Sequence, residues 1–254
     1  MRASDATPRF SSRVENYIRY RPSYPLGVVD LLRSECGLTP DSTIADIASG
    51  TGIFTKLLLE NGNRVFGVEP NPDMRKAGEE FLSAFPRFTT VAGTAEATTL
   101  PTYSIDIVTA AQAAHWFDLK KTRQEFMRIA KPGGWSVLLW NERSTDSTPF
   151  LRDYEQLVLD YGTDYKDVRH EHTTDNIQEF FAPTPFQARV FKLDQETDYA
   201  GLEGRLLSSS YAPPLGHTKC TPMLAELRRM FDAHQVKGKV TLEYNTRVYY
   251  GQLS

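Results

Sequence analysis

The residues best placed to do chemistry are two acids flanking a glycine turn. Asp46-Ile47-Ala48-Ser49-Gly50-Thr51-Gly52 follows the β-branched, apolar stretch Thr43–Ile47 and precedes a helical stretch, Ile53–Asn61. Gly50 and Gly52 allow the backbone to turn sharply and come close to a ligand. Glu69 closes a second apolar stretch, Arg64–Val68, nineteen residues after Gly50. A carboxylate at that strand end can accept both hydroxyls of a ribose. Turn and acid together read as a nucleoside site.

Which nucleoside follows from the neighbours. A dinucleotide loop asks for a small third residue beneath the pyrophosphate, and Thr55 stands there instead. Asp46 at the strand tip sets a negative charge against a diphosphate. It suits a cationic ligand without phosphates, such as S-adenosylmethionine with its sulfonium, ammonium and ribose. No Gly-Lys-Ser/Thr ends the turn, so a Walker loop is excluded.

Other reactive side chains have weaker contexts. His115 follows the fourth apolar stretch, where an imidazole could serve as a base near neutral pH. Trp116 either walls a ligand pocket or packs in the core. Asp118 is placed to cap a helix starting at Leu119. His170-Glu171-His172 offers two alternating imidazoles without a third ligand, so no metal is expected. Arg143, Arg169 and Arg205 could pair with an acidic substrate or lie on the surface. Tyr154, Tyr161, Tyr165 and Tyr211 could line an aromatic pocket or pack helices. Ser208-Ser209-Ser210 lacks a G-x-S-x-G elbow, which argues against a hydrolase.

These residues must be positioned by alternating elements. Thr43–Ile47, Arg64–Val68, Phe88–Ala92, Ile105–Ala110 and Ser136–Trp140 predict strands. Helices are predicted over Ile53–Asn61, Pro72–Ala84 and Leu119–Ile129, with Asn71 able to cap at Pro72. Lys131-Pro132-Gly133-Gly134 signals a stop and turn before the fifth strand. Upstream, short helices are expected over Ser12–Tyr20 and Leu26–Glu35. Downstream the rhythm changes: helices over Pro149–Tyr161, Gly201–Ser210 and Thr221–Gln235, strands over Ala188–Leu193 and Lys239–Tyr249. The expected fold is α/β: a doubly wound, Rossmann-like, mostly parallel seven-stranded sheet. The two late strands are edge members, antiparallel if they return, and the C-terminal helices form an α-helical cap over the ligand edge. Residues 1–254 are read as one domain, 12–140 being the cofactor-binding core and 141–254 the late strands and cap.

At this point the sequence resembles the class I S-adenosylmethionine-dependent methyltransferases, closest to the small-molecule branch with the trans-aconitate methyltransferases and similar type 11 domains. The resemblance rests on Arg21-Pro22-Ser23-Tyr24-Pro25 after Tyr17 and Tyr20, on Asp46–Gly52, and on Val68-Glu69-Pro70-Asn71-Pro72. It extends to Gly93-Thr94-Ala95-Glu96, Gln112–Asp118 and Lys131–Gly134. It is specific over 12–140 and general beyond. The family usually has glycine at the position of Ala48. The resemblance implies that Gly50, Gly52 and the backbone at Ala48 line a methionine moiety, with Asp46 holding the loop or reaching the ammonium through water. It gives the ribose to Glu69, the flanks of the adenosine to Asn71 and Met74, and the adenine edge to Thr94, Ala95 and Glu96. Gln112 and Ala113 would lie near the sulfonium, and Trp116 beside the adenine or the acceptor. Tyr17 and Arg21 would close over the cofactor, a tyrosine face attracting the sulfonium and Arg21 pairing with the methionine carboxylate. Trp116, Arg143 and Tyr211 are the substrate-side candidates.

Composition narrows the partners. In 254 residues, 29 basic side chains face 32 acidic ones, giving a net charge of −3. That balance offers no general attraction to nucleic acid or an anionic membrane. The Ala-Gln-Ala-Ala-His-Trp run after the fourth strand also lacks the Asn/Asp-Pro-Pro-aromatic pattern of amino-methylating DNA enzymes. The opening MRASDATPRF has no apolar signal core, and Cys36 and Cys220 are too few for a disulfide framework, so a cytoplasmic chain is expected. The expected function is S-adenosylmethionine-dependent methylation of a small organic acceptor, at a carboxylate or hydroxyl oxygen. A nicotinamide-dependent oxidoreductase and a non-catalytic cofactor-binding subunit are the alternatives.

Overall fold

The computed structural model describes residues 18–163, 165 and 173–254. Strands β1 (Thr43–Ile47), β2 (Arg64–Val68), β3 (Phe88–Val91), β4 (Ile105–Ala111) and β5 (Ala130–Arg143) pair in parallel. Two later strands, β6 (Gln187–Thr197) and β7 (Val240–Gly251), run antiparallel. The sheet order is β3-β2-β1-β4-β5-β7-β6. Chain order therefore reverses between β1 and β4, and the crevice beyond the carboxyl ends of those strands is where an open α/β sheet takes its ligand.

Side-chain alternation divides the core. Ile44, Ile107, Val137 and Leu139 face one layer, with Val28 and Leu32 of α1 (Gly27–Glu35) and Leu58 of α2 (Ile53–Glu60). Ala45, Val108, Leu138 and Trp140 face the other, packed with Phe126 and Ile129 of α4 (Leu119–Ile129). Between them in sequence, α3 (Pro72–Phe81) begins at Asn71, whose side chain accepts from the amides of Asp73 and Met74. Asp118 caps α4 by accepting from Lys121 N at 3.2 Å.

Several boundaries differ from the sequence reading. Lys131–Gly134 loops out inside β5 rather than before it: Ala130 pairs with Ile105 and Trp135 with Ile107. The turn chemistry is real, with Gly133 at φ +79° and Lys131 Nζ 2.8 Å from both Asp106 oxygens. The strand resumes because Ala130 keeps its ladder partner. Strand β7 is not an edge member; it inserts between β5 and β6. An additional helix, α6 (Thr173–Phe181), sends Ile177, Phe180 and Phe181 into the layer around Phe126. The expected Ser12–Tyr20 helix lies mostly outside the described residues, of which 18–20 are helical.

Strands β5, β6 and β7 continue past the carboxyl ends of the parallel strands, pairing as far as Arg143 with Tyr244 and Thr197 with Val240. Val240, Leu242 and Tyr244 on that arm pack with α5 (Pro149–Tyr161), α7 (Tyr199–Leu207) and α8 (Cys220–His234). The cap is thereby fixed to the sheet. Phe126 is fully buried, its ring 5.6 Å from that of Phe180. Phe126→Ala should cost about 3–5 kcal/mol of unfolding free energy, measured by urea denaturation; a loss below 1 kcal/mol would contradict this packing.

Candidate active site

Glu69 follows β2, and its amide continues the ladder to Val91 O. Its carboxylate joins two loops: Oε2 accepts from Gly50 N at 2.9 Å and Oε1 from Asn71 N at 2.8 Å. An ionised carboxylate has about four acceptor positions, so each oxygen keeps one more. Burial pushes the Glu69 carboxyl up, while the two amides and the Arg75 charge act against that shift.

Asp46, at the end of β1, is almost wholly buried. Thr55 Oγ1 donates to its Oδ2 at 2.6 Å and Thr109 Oγ1 to its Oδ1 at 2.9 Å. Thr55, which fits a dinucleotide loop badly, therefore anchors this acid. Desolvation raises the Asp46 carboxyl to about 6 against the two hydroxyls, and the neighbouring Glu69 charge adds to the rise. Gly52 caps α2 at φ +85°, where an added Cβ would lie 2.5 Å from Leu82 Cδ1. Ala48 stands at φ +54°, a left-handed position that costs an alanine about 1–2 kcal/mol. That conformation is the physical reason glycine suits this position.

A cavity opens beside the loop, walled by Ala48, Ser49 and Gly50 with Asp46 beneath. Its second wall is Ala111 at the end of β4, Gln112 just beyond it, and Asn141 of β5. Gln112 takes a left-handed φ of +59°, its amide donating to Leu139 O and its side chain to Asn141 O. Asn141 Nδ2 donates to Ser23 O at 3.0 Å, and Thr246 Oγ1 donates to Asn141 Oδ1 at 2.6 Å. Asn141 thus ties the N-terminal segment to the sheet. Arg21, Tyr24, Arg205 and Tyr244 close the cavity from the N-terminal segment and the cap. Arg21 donates from Nε to Ser208 Oγ and from Nη2 to Ser208 O, both at 3.0 Å.

The sequence reading did not select Asn141 or Tyr244 for the site. Asn141 could have been found, because it directly follows the predicted fifth strand as Glu69 follows the second. Tyr244 depends on how far the antiparallel arm extends, which no local pattern states.

The remaining selected residues have these positions. Met74 is buried beside the loop, its Cε 3.4 Å from where a Gly50 Cβ would stand. Asn71 uses its side chain as the α3 cap. Thr94 pairs its backbone with Ala97, Ala95 is buried, and Glu96 Oε1 accepts from Asp118 N at 3.0 Å. Ala113, His115 and Trp116 lie on or beside a short 3-10 turn, the two rings 4.9 Å apart, outside the lining of the cavity. Arg143 is buried in an ion pair with Glu155 and lies 4.7 Å over the Tyr154 ring. Tyr211 packs edge-on against Tyr165, and neither Arg143 nor Tyr211 lines the cavity. Tyr17, Arg169 and His170-Glu171-His172 lie outside the described residues. Among the described residues no group of three or more His, Cys, Asp or Glu could hold a metal, and no helix is long and apolar enough to cross a membrane.

A sheet of this order with a glycine loop and an acid after β2 is the class I methyltransferase fold. Residues 45–138 match a family model described as a methyltransferase domain. A methyltransferase-like protein of Schizosaccharomyces pombe, itself uncharacterised, is 31% identical over 156 residues, 61% of this chain and 59% of that one. An uncharacterised methyltransferase of Mycobacterium tuberculosis is 33% identical over 163 residues, 64% of each chain. The chain thus spans about 60% of the length of these curated relatives. In three dimensions it resembles a type II methyltransferase candidate from Anaeromyxobacter dehalogenans, with TM-score 0.67, 22% identity and coverage of 92% of this chain and 98% of that one. A similar likeness, TM-score 0.64 at 23% identity over 92% and 99%, joins it to a methyltransferase candidate of an Anabaena variabilis antibiotic pathway.

The buried acid of the loop should show in stability. Its carboxyl is raised on folding, so the folded chain binds the proton more tightly than the unfolded one between about pH 4 and pH 6. Its contribution is present below pH 4 and lost as pH rises through 6. The unfolding free energy of wild type minus that of Asp46→Asn should fall by about 2–3 kcal/mol between pH 4 and pH 7, at roughly 1.4 kcal/mol per unit. Chemical denaturation across that range measures it; a flat difference would contradict the raised carboxyl.

Proposed function

We propose that this chain transfers a methyl group from S-adenosylmethionine to an oxygen of a small organic acceptor. The observation that carries the reading is the Glu69 carboxylate, fixed by Gly50 N and Asn71 N with one acceptor position free on each oxygen. Two adjacent hydroxyls of a ribose match that pair. A diphosphate would meet Asp46 and Glu69 together. The cavity fits the rest of the cofactor: Gly50 and Ala48 leave its methionine end close to backbone, and Arg21 can meet its carboxylate.

S-adenosylmethionine, when bound, supplies a sulfonium-activated methyl group open to in-line displacement. The protein's share is position and dryness. Glu69 fixes the ribose, the β1–α2 loop fixes the methionine end, and Gln112 and Asn141 define the wall beyond β4. Tyr24 and Tyr244 exclude water from above. A carboxylate acceptor needs no base, since its charge and that of the sulfonium fade together. A hydroxyl acceptor would give up a proton, and His115 is the base we propose for that case. The proposed site is one for a small molecule, without nucleic acid or membrane.

Calorimetric titration tests the reading with S-adenosylhomocysteine and NAD in parallel. S-adenosylhomocysteine should bind and NAD should not. Glu69→Ala should weaken the former by about 1.5–3 kcal/mol, the scale of hydrogen bonds to a charged group. Binding of NAD alone, or full S-adenosylhomocysteine affinity in the variant, would overturn it.

A further inference from the structure

Asn141 joins the wall of the cavity to its roof, and the two ends of its side-chain amide are committed to different elements. It stands on β5 opposite Thr246 of β7, with both side chains buried. Ser23 O only accepts, so the amide must turn Nδ2 toward it, at 3.0 Å. That leaves Oδ1 for the Thr246 hydroxyl, which donates at 2.6 Å and fixes the amide in this orientation. The main-chain oxygen of Asn141 separately accepts from Gln112 Nε2 at 3.2 Å. The wall bond therefore uses the backbone of Asn141, and the roof bond uses its side chain.

Side chains hold the roof in place. Residues 21–25 form neither helix nor strand, yet Arg21, Pro22 and Tyr24 line the cavity together with Ala48 and Gly50 of the glycine loop. At one end, Gln195 Nε2 of β6 donates to Tyr20 O at 3.0 Å. The Tyr20 ring lies on bare backbone of α7, where a Cβ added to Gly204 would stand 2.2 Å from Tyr20 Cδ2. At the other end, Pro25 O accepts from Val28 N as α1 begins. Between these anchors Arg21 reaches Ser208 on the cap, and Asn141 ties Ser23 to the sheet.

We infer that Asn141 is a positioning residue for cofactor retention: Thr246 orients its amide, the amide holds Ser23, and Ser23 keeps Pro22 and Tyr24 closed over the bound cofactor. The identity of the ligand rests on the methyl-transfer reading above; the relay itself rests on the three side chains and Ser23 O. A ligand leaves from beneath this roof when the Ser23 bond breaks, so the relay sets the release rate. Removing the Thr246 hydroxyl leaves Oδ1 buried without a donor and frees the amide to turn off Ser23. Asn141→Asp keeps the shape, sets an acceptor against Ser23 O, and leaves the Gln112 bond on the backbone intact.

The full chain carries the test, with two readouts. One is the release of radiolabelled S-adenosylhomocysteine in a chase; the other is hydrogen–deuterium exchange of residues 20–26 in the ligand-free chain. Thr246→Val and Asn141→Asp should each speed release at least fivefold and raise exchange over 20–26. Thr246→Ser, which keeps the hydroxyl and loses the methyl, should stay within twofold of wild type in both. A merely structural role for this buried position would instead follow the methyl, so a Thr246→Ser variant that behaves like Thr246→Val contradicts the relay. If Thr246→Val does not fold, Asn141→Asp and Thr246→Ser decide the matter. Unchanged release in Asn141→Asp would overturn the inference. Faster release with unchanged exchange would overturn it as well, by placing Asn141 directly on the cofactor. A wild type that binds no S-adenosylhomocysteine would sink the methyl-transfer reading instead, and exchange alone would then decide the relay.

Discussion

The site depends on one carboxylate held by two backbone amides. Glu69 accepts from the amide of Gly50 in the β1–α2 loop and from that of Asn71 at the start of α3. Charge-assisted hydrogen bonds of this kind are about twice as strong as neutral ones. They fix two loops that carry no regular structure against each other. Sheet order supplies the rest, because the reversal between β1 and β4 leaves an open crevice at that point. Glycine at 50 and 52, alanine forced left-handed at 48 and the asparagine cap at 71 are all consequences of drawing the backbone around this acid.

Buried charge is distributed unevenly over the cavity and the cap. Asp46 is held by two threonine hydroxyls, which act against the desolvation that raises its carboxyl to about 6. Arg143 is neutralised by Glu155 and serves the cap. Arg205 has phenols and a serine hydroxyl only. The long antiparallel arm packs three cap helices onto Val240, Leu242 and Tyr244.

Much of this arrangement was legible in the residues. The β1, β2 and β4 strands, both side-chain caps and the glycine loop follow from local patterns, since short buried strands and N-caps are governed by neighbours in sequence. Thr55 shows where local reading stops: its poor fit to a dinucleotide loop was visible, whereas its bond to Asp46 needed the helix placed over the strand. Helix α6 was missed although Ile177, Phe180 and Phe181 have helical spacing, because the polar run before it carries no clear start. The inward position of β7 and the extent of its arm come from pairing between distant segments. So does the company kept by Arg143 and Arg205: two arginines alike in sequence, one with a carboxylate and one without.

The most direct test is a crystal structure of the chain with S-adenosylhomocysteine. Both ribose hydroxyls should lie within hydrogen-bond distance of the two Glu69 oxygens, with the Gly50 and Asn71 amides still on the same carboxylate. A ribose held elsewhere, or a Glu69 side chain that must abandon either amide to reach it, would contradict the account.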